Sequence, residues 1–294
     1  MTPQFVRVYG GDHSLWVQAV LLGLHLKKIP HDLVTVPPLS VFLRNGILMP
    51  MVSIDGGPWH HDSTRILGEF GFSGKAQGDE RMLVTALRGG TNRVDNAWRF
   101  WYRWSLVREP HGPVFVRMLR SALRSFTVLY FYLTLKAFAH AVGHSSEDDI
   151  RRGWQRWEER FTNGTGAFLG GDEPNLVDLQ LFGGVQGACS IPIPPIDVLQ
   201  SDPSLPNTRE WIASMQRVFD DYPHMYSGVY FEPRRPAPVS APLHEQIAFW
   251  MGSVLTILAF PVTVPLWYVY MRYVRKSGKL GLPTRRRTPS NVRG

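Results

Sequence analysis

Apolar and polar positions along the chain switch period twice. Residues 5–9 (FVRVY) read as a short strand, and residues 14–28 (SLWVQAVLLGLHLKK) as a helix with Ser14 at its N-cap and Lys27 and Lys28 in its last turn. DLVTV (32–36) and PMVSI (50–54) read as further strands, and PWHHD (58–62) as a fourth after the turn DGG. STRILGEFG (63–71) reads as a second helix. The order is βαβ, a short excursion over residues 37–49, then ββα. A strand–helix–strand unit with a short connection implies a parallel pair with a right-handed crossover.

From about residue 79 to 229 the spacing turns helical. Amphipathic stretches follow one another, with an acidic first turn at SEDD (146–149) and a capping arrangement of Asn175 with Asp178 before LQLFGGV. The apolar run 126–142 contains Lys136 and is about 17 residues long, which suits a buried helix better than a membrane span. FEPRRPAPVSAPL then forms a Pro-rich linker.

Residues 247–270 (IAFWMGSVLTILAFPVTVPLWYVY) carry no charge. At about 1.5 Å per residue a helix of this length covers a hydrocarbon core of about 30 Å. Trp250 at one end, and Trp267, Tyr268 and Tyr270 at the other, suit the membrane interfaces. Pro261 and Pro265 lie inside the stretch. The expectation is a single transmembrane helix acting as a C-terminal anchor.

Charge sharpens this reading. The formal net charge is +8, but residues 272–294 hold eight of the 32 basic residues and no acid, so the rest carries 24 charges of each sign. The basicity belongs to a tail beyond the apolar stretch, and no nucleic-acid motif accompanies it. The single Cys189 excludes an intramolecular disulfide framework and a multi-cysteine metal site. The ten histidines show no ligand-type spacing, and adjacent His60 and His61 would face opposite ways in a strand, so no metal site is expected.

Strand, sharp turn and helix start meet at GGDHSLW (10–16). A strand–helix–strand unit of this order followed by helices resembles the glutathione-transferase architecture. ILMPMVSIDGGPWHHDSTRIL resembles that family's strand–Pro–strand, D-G, acid–Ser sequence. FLGGDEPNLVDLQLFGGVQG is similar to the helical signature of the branch that includes membrane-associated prostaglandin E synthase type 2. The resemblance covers about residues 5–225. It implies a cis Pro50 that presents the Met49 backbone to a tripeptide ligand, with Asp62 and Ser63 holding the γ-glutamyl end of glutathione. The branch's paired cysteines fall on Ser14 and Val17, so dithiol chemistry is excluded here. Ser14 has two readings: a hydroxyl that hydrogen-bonds a bound thiolate, or only a helix cap. Asp62 and Ser63 are likewise normal residues for a helix start.

NAWRFWYRW (96–104) interleaves aromatics with arginines. Helical spacing puts Trp98, Trp101 and Ser105 on one face and Arg99 and Arg103 on another. Arg99, Trp101 and Arg103 are therefore candidates for an interface with an acidic partner or anionic headgroups, against the plainer reading of a core helix with a solvated basic face.

The expected fold is an α/β thioredoxin-like domain (1–75) plus an all-α glutathione-transferase-like domain (79–230). A linker (231–246), a transmembrane helix (247–271) and a basic tail (272–294) follow. The expected role is a membrane-anchored, catalytically weak or inactive accessory subunit of a membrane complex, with the mitochondrion as the proposed site. The alternative is a glutathione-dependent transferase or prostaglandin E synthase-like isomerase acting on lipophilic substrates, with Ser14 as its catalytic hydroxyl.

Overall fold

A computed structural model describes residues 3–46, 48–74, 78–79, 82–83, 97–142 and 146–276, without the side chains of 134, 137–142, 271 and 274–276. The helical reading between 84 and 96 and the tail beyond 276 lie outside the described residues.

The first half is one mixed sheet. β1 (Val6–Tyr9), β2 (His31–Val34), β3 (Met51–Ile54) and β4 (Trp59–His61) lie in the order β2-β1-β3-β4. β1 runs parallel to β2, with Val6 opposite His31, and antiparallel to β3, with Val6 opposite Ile54. The parallel pair is joined through α1 (Leu15–Leu26), as the pattern requires. The excursion holds a helix of its own, α2 (Leu39–Asn45), and α3 (Ser63–Glu69) follows β4.

The second half is helical: α4 (Ala97–Ser105), α5 (Val114–Val142), α6 (Glu147–Asn163), α7 (Leu176–Ser190), α8 (Pro195–Ser201) and α9 (Pro206–Val218), with a short 3-10 turn at Ser227–Val229. Every residue of α7 is buried, and α1 seats against it. The closeness depends on Gly183 and Gly187. A Cβ on Gly183 would lie 2.6 Å from the Leu15 carbonyl oxygen, and one on Gly187 3.1 Å from the Leu15 side chain. Two glycines one turn apart give α7 a flat strip on which α1 can lie.

α6 and α7 start with side-chain caps. Asn175 and Asp178 make a reciprocal capping box, and so do Ser146 and Asp149. Asp178, fully buried, also accepts from the Leu169 and Gly170 amides and from the Trp211 indole, which fixes the FLGGDEPN loop to the core.

The aromatic helix α4 buries a face that includes Ser105 but neither Trp98 nor Trp101. Phe100, Trp104 and Ser105 are buried, while Trp98 is 69% exposed and stacks on Trp250. The helix faces α5 and the C-terminal segment together, so Phe100 and Trp104, four residues apart, take the shared core with Val128 and Phe249.

The expected continuous span is not present. Residues 243–276 form two helices, α10 (Leu243–Leu258) and α11 (Phe260–Lys276), bent by 79° at Ala259. No single described helix is long and apolar enough to cross a membrane. Pro261 has no amide hydrogen to donate back to the preceding turn, which accounts for a break at this point. α10 also begins inside the stretch read as linker, and it packs along α5 rather than standing clear of the fold.

Candidate functional site

The turn after β1 places Asp12, His13 and Ser14 just ahead of α1. The Ser14 amide donates to the Gly11 carbonyl, 2.9 Å away, and the Ser14 carbonyl accepts from Gln18. Ser14 thus occupies the N-cap position, yet its hydroxyl makes no capping bond and has no hydrogen-bond partner among the described residues. The side chain is only 6% exposed. Beside it, a methyl group on Gly11 would overlap the Trp104 indole, so α4 is pressed directly onto the turn.

Met49–Pro50 is cis, as the resemblance implies, and Pro50 is buried. The Met49 side chain packs among three apolar clusters, including that of Phe100 and Trp104. Asp62 (φ +83°) caps α3, accepting from the Thr64 and Arg65 amides at 2.9 and 3.4 Å. The Ser63 hydroxyl is buried and takes a hydrogen bond from the Gln180 amide at 3.3 Å. For a tripeptide thiol the two ends differ. Asp62 is exposed and keeps a second oxygen available at the start of α3. At the thiol end, Ser14 is little exposed and the Trp104 indole lies against Gly11 of the same turn.

A second group, seen only in part from the sequence, is more highly organised. Oδ2 of Asp12 accepts from the Tyr226 hydroxyl at 2.7 Å and lies 2.9 Å from His224 Nδ1. The Gln18 amide donates to the Asp12 carbonyl at 2.6 Å, and Tyr222 donates to Gln18 at 2.8 Å. His13 Nε2 lies 2.7 Å from the Arg103 carbonyl oxygen, its ring packed between Trp104 and Tyr226. Burial alone would raise the Asp12 carboxyl. The hydrogen bonds from His224 and Tyr226 and the charges of His13 and His224 overcome it and hold the group well below the usual carboxylate range. Burial pushes the His13 imidazole down, against the attraction of Asp12.

Asp12, His13, His224 and Tyr226 line a cavity of about 390 Å³, together with Arg103, Cys189 and residues 237–240 of the linker. None of Ser14, Met49, Pro50, Asp62 or Ser63 lines it. Arg103 therefore turns toward a cavity instead of joining Arg99 on an outer face, and it has no ion-pair partner among the described residues. Arg99 donates to the Pro192 carbonyl at 2.8 Å, and Trp101 is half-buried against Tyr132. Burial pushes the Cys189 thiol up, so it stays protonated and unreactive. The site brings a fixed carboxylate, several hydrogen-bonding side chains and the Arg103 guanidinium to one cavity.

The strand order β2-β1-β3-β4, the crossover through α1 and the helical second half define the architecture: a thioredoxin-like sheet joined to an all-helical half. No family model and no curated protein matches the chain. Similar solved structures are glutathione transferases. One, from Methylobacillus flagellatus with GSH bound, is 13% identical over 74% of this chain and 98% of its own, with a TM-score of 0.44. A glutathione S-transferase-I bound with lactoylglutathione is 16% identical over 76% and 100%, with a TM-score of 0.40. Glutathione S-transferase I from maize, in complex with an atrazine glutathione conjugate, is 16% identical over 74% and 95%, with a TM-score of 0.39. At these values the class rests on the strand order and helix arrangement themselves.

Among the described residues no cluster of His, Cys, Asp and Glu is arranged to hold a metal ion. Asp12 and His13 were visible in the sequence only as neighbours of Ser14. His224 and Tyr226 lie more than 200 residues away in PHMY (223–226), and no local pattern links them to the turn.

Proposed function

We propose that this chain is a membrane-attached glutathione-transferase-like protein with little or no conjugating activity, serving as an accessory or structural subunit of a membrane complex. The observation that carries the reading is the Trp104 indole seated on Gly11 beside a Ser14 that is 6% exposed. A thiol-activating hydroxyl needs open space for sulfur on its outer side, and a Ser14 this little exposed, on a turn that carries the Trp104 indole, speaks against such a role. The uncharged stretch 247–270 and the exposed apolar side chains on α10 and α11 support attachment to a bilayer. The test is mild-detergent solubilisation, native-gel migration and mass spectrometry of the band. A large stoichiometric complex supports the subunit role; migration as a monomer or dimer removes it.

A second reading, a glutathione-dependent transferase or isomerase for lipophilic substrates, has the unpartnered Ser14 hydroxyl in its favour. Calorimetric titration with glutathione decides it: micromolar binding that is lost in Ser14→Ala supports this reading, and no heat in either protein removes it.

A further inference from the structure

The apolar C-terminal stretch is docked onto the folded body along its first half. Glu245, wholly buried, accepts from the Glu109 amide at 3.0 Å and pairs with Arg117 at 3.3 Å. Ser121 donates to the Glu245 carbonyl at 2.8 Å. One turn on, the Arg124 guanidinium lies over the Phe249 ring, and Gly252 sits so close to α5 that a Cβ there would lie 2.7 Å from the Ser125 hydroxyl. This face of α10 is polar, paired and packed, and lipid cannot replace its partners.

The part beyond the bend is too short to cross a bilayer. The apolar portion of α11, Phe260–Tyr270, is about 16 Å long at 1.5 Å per residue, against a hydrocarbon core of about 30 Å. α11 is also tied back to the body. The Tyr270 hydroxyl donates to the Leu43 carbonyl at 3.1 Å, and Trp267 packs on Tyr130.

The outer sides of both helices are nevertheless apolar and open. Met251, Leu255 and Leu258 on α10, and Val262, Leu266 and Val269 on α11, are each 62–71% exposed and recur at the four-then-three spacing of a helical stripe on each helix. The hydroxyls in between are satisfied internally, as Thr256 donates to the Gly252 carbonyl and Thr263 to the Ala259 carbonyl. At the far end Arg272 lies over the Tyr268 ring, and Arg275 and Lys276 follow in sequence. An uncharged stripe ending in aromatics and cations is complementary to one surface, the acyl-chain boundary of a bilayer with anionic headgroups.

We infer that residues 243–276 attach the protein to one leaflet as a bent in-plane helix pair, rather than crossing the membrane as a single span. This rests on the membrane-attachment reading above and decides its topology: both ends of the pair lie on the same side as the folded body.

The test uses the full chain expressed in bacterial cells, with Leu243→Cys or Tyr273→Cys introduced singly. Both positions are exposed, and the native Cys189 is buried. Sealed right-side-out and inverted membrane vesicles are treated with a membrane-impermeant maleimide. The expected result is that the protein sediments with the vesicles and both cysteines label in the same vesicle orientation. Labelling in opposite orientations overturns the in-plane topology while leaving attachment intact. Absence from the membrane fraction overturns attachment itself, and a dimer in solution would then assign the stripe to a second copy of the chain. In a companion variant, Leu255→Glu with Leu266→Glu, the membrane-bound fraction should fall by at least about tenfold with an unchanged circular dichroism spectrum. Undiminished binding by that folded variant also overturns the inference.

Discussion

Arg124 and Glu109 form an ion pair from which solvent is excluded on both sides, their side chains 0% and 1% exposed. Burial pushes the Glu109 carboxyl up and the Arg124 guanidinium down, and their mutual attraction opposes both shifts. Thr35 donates to Glu109 at 2.5 Å, and Arg124 also donates to the Val107 carbonyl at 2.8 Å. The pair thus ties the end of the β2 region, α5 and the loop after α4 together, and it lies under the first turn of α10.

Removing one member should be costly and removing both much less so. Glu109→Gln leaves a buried guanidinium without its counter-charge, for which about 3–5 kcal/mol of destabilisation is expected. Replacing the pair with Glu109→Leu and Arg124→Met should recover most of that loss. Urea denaturation of the three proteins checks the order.

Stability should fall as pH drops below neutrality. The folded-state values of His13 and His31 are both lowered, chiefly by burial. Their contribution is fully present above the unfolded histidine value of about 6.5 and is lost as pH falls through the lowered folded values, because the unfolded chain takes up protons first. Asp12, held lower still, keeps its contribution above about pH 4 and loses it only in stronger acid. Urea midpoints should therefore decrease between pH 7 and pH 5, and His13→Gln should flatten that slope.

Two N-cap positions with similar residue types should respond differently to alanine. Asn175 accepts from the Val177 and Asp178 amides, so Asn175→Ala should cost about 1–2 kcal/mol. The Ser14 hydroxyl makes no such bond, so Ser14→Ala should change stability by less than about 0.5 kcal/mol. Thermal unfolding of both variants measures the contrast. A cost at Ser14 equal to that at Asn175 would show a cap bond in solution.

The docking of α10 depends on the missing side chain at Gly252. Gly252→Ala places a methyl group against the Ala122 backbone and the Ser125 hydroxyl. Overpacking of this kind costs about 1–3 kcal/mol, and here the strain acts on the attachment of α10. Limited proteolysis should cut the linker at 231–242 faster in this variant than in the parent.

The sequence by itself determined the elements whose signals are local. The strand alternation of FVRVY, the acidic first turn at SEDD, the Asn175–Asp178 cap and the βαβ–ββα order all appear in the structure within a few residues of where the pattern puts them. These depend on backbone geometry and on contacts three or four residues apart, which a linear pattern records. Tertiary structure alone decided three other things. It brought His224 and Tyr226 onto one oxygen of Asp12, a meeting of residues more than 200 positions apart. It set Trp104 against Gly11 in the turn before α1, a residue that helical spacing on α4 did not single out. It also divided the uncharged run 247–270 into a helix docked through Glu245, Phe249 and Gly252 and a second helix turned by 79°. Hydropathy counts apolar residues along a line. Which face of a helix is satisfied by protein, and how much is left for another phase, is fixed only when distant partners are in place.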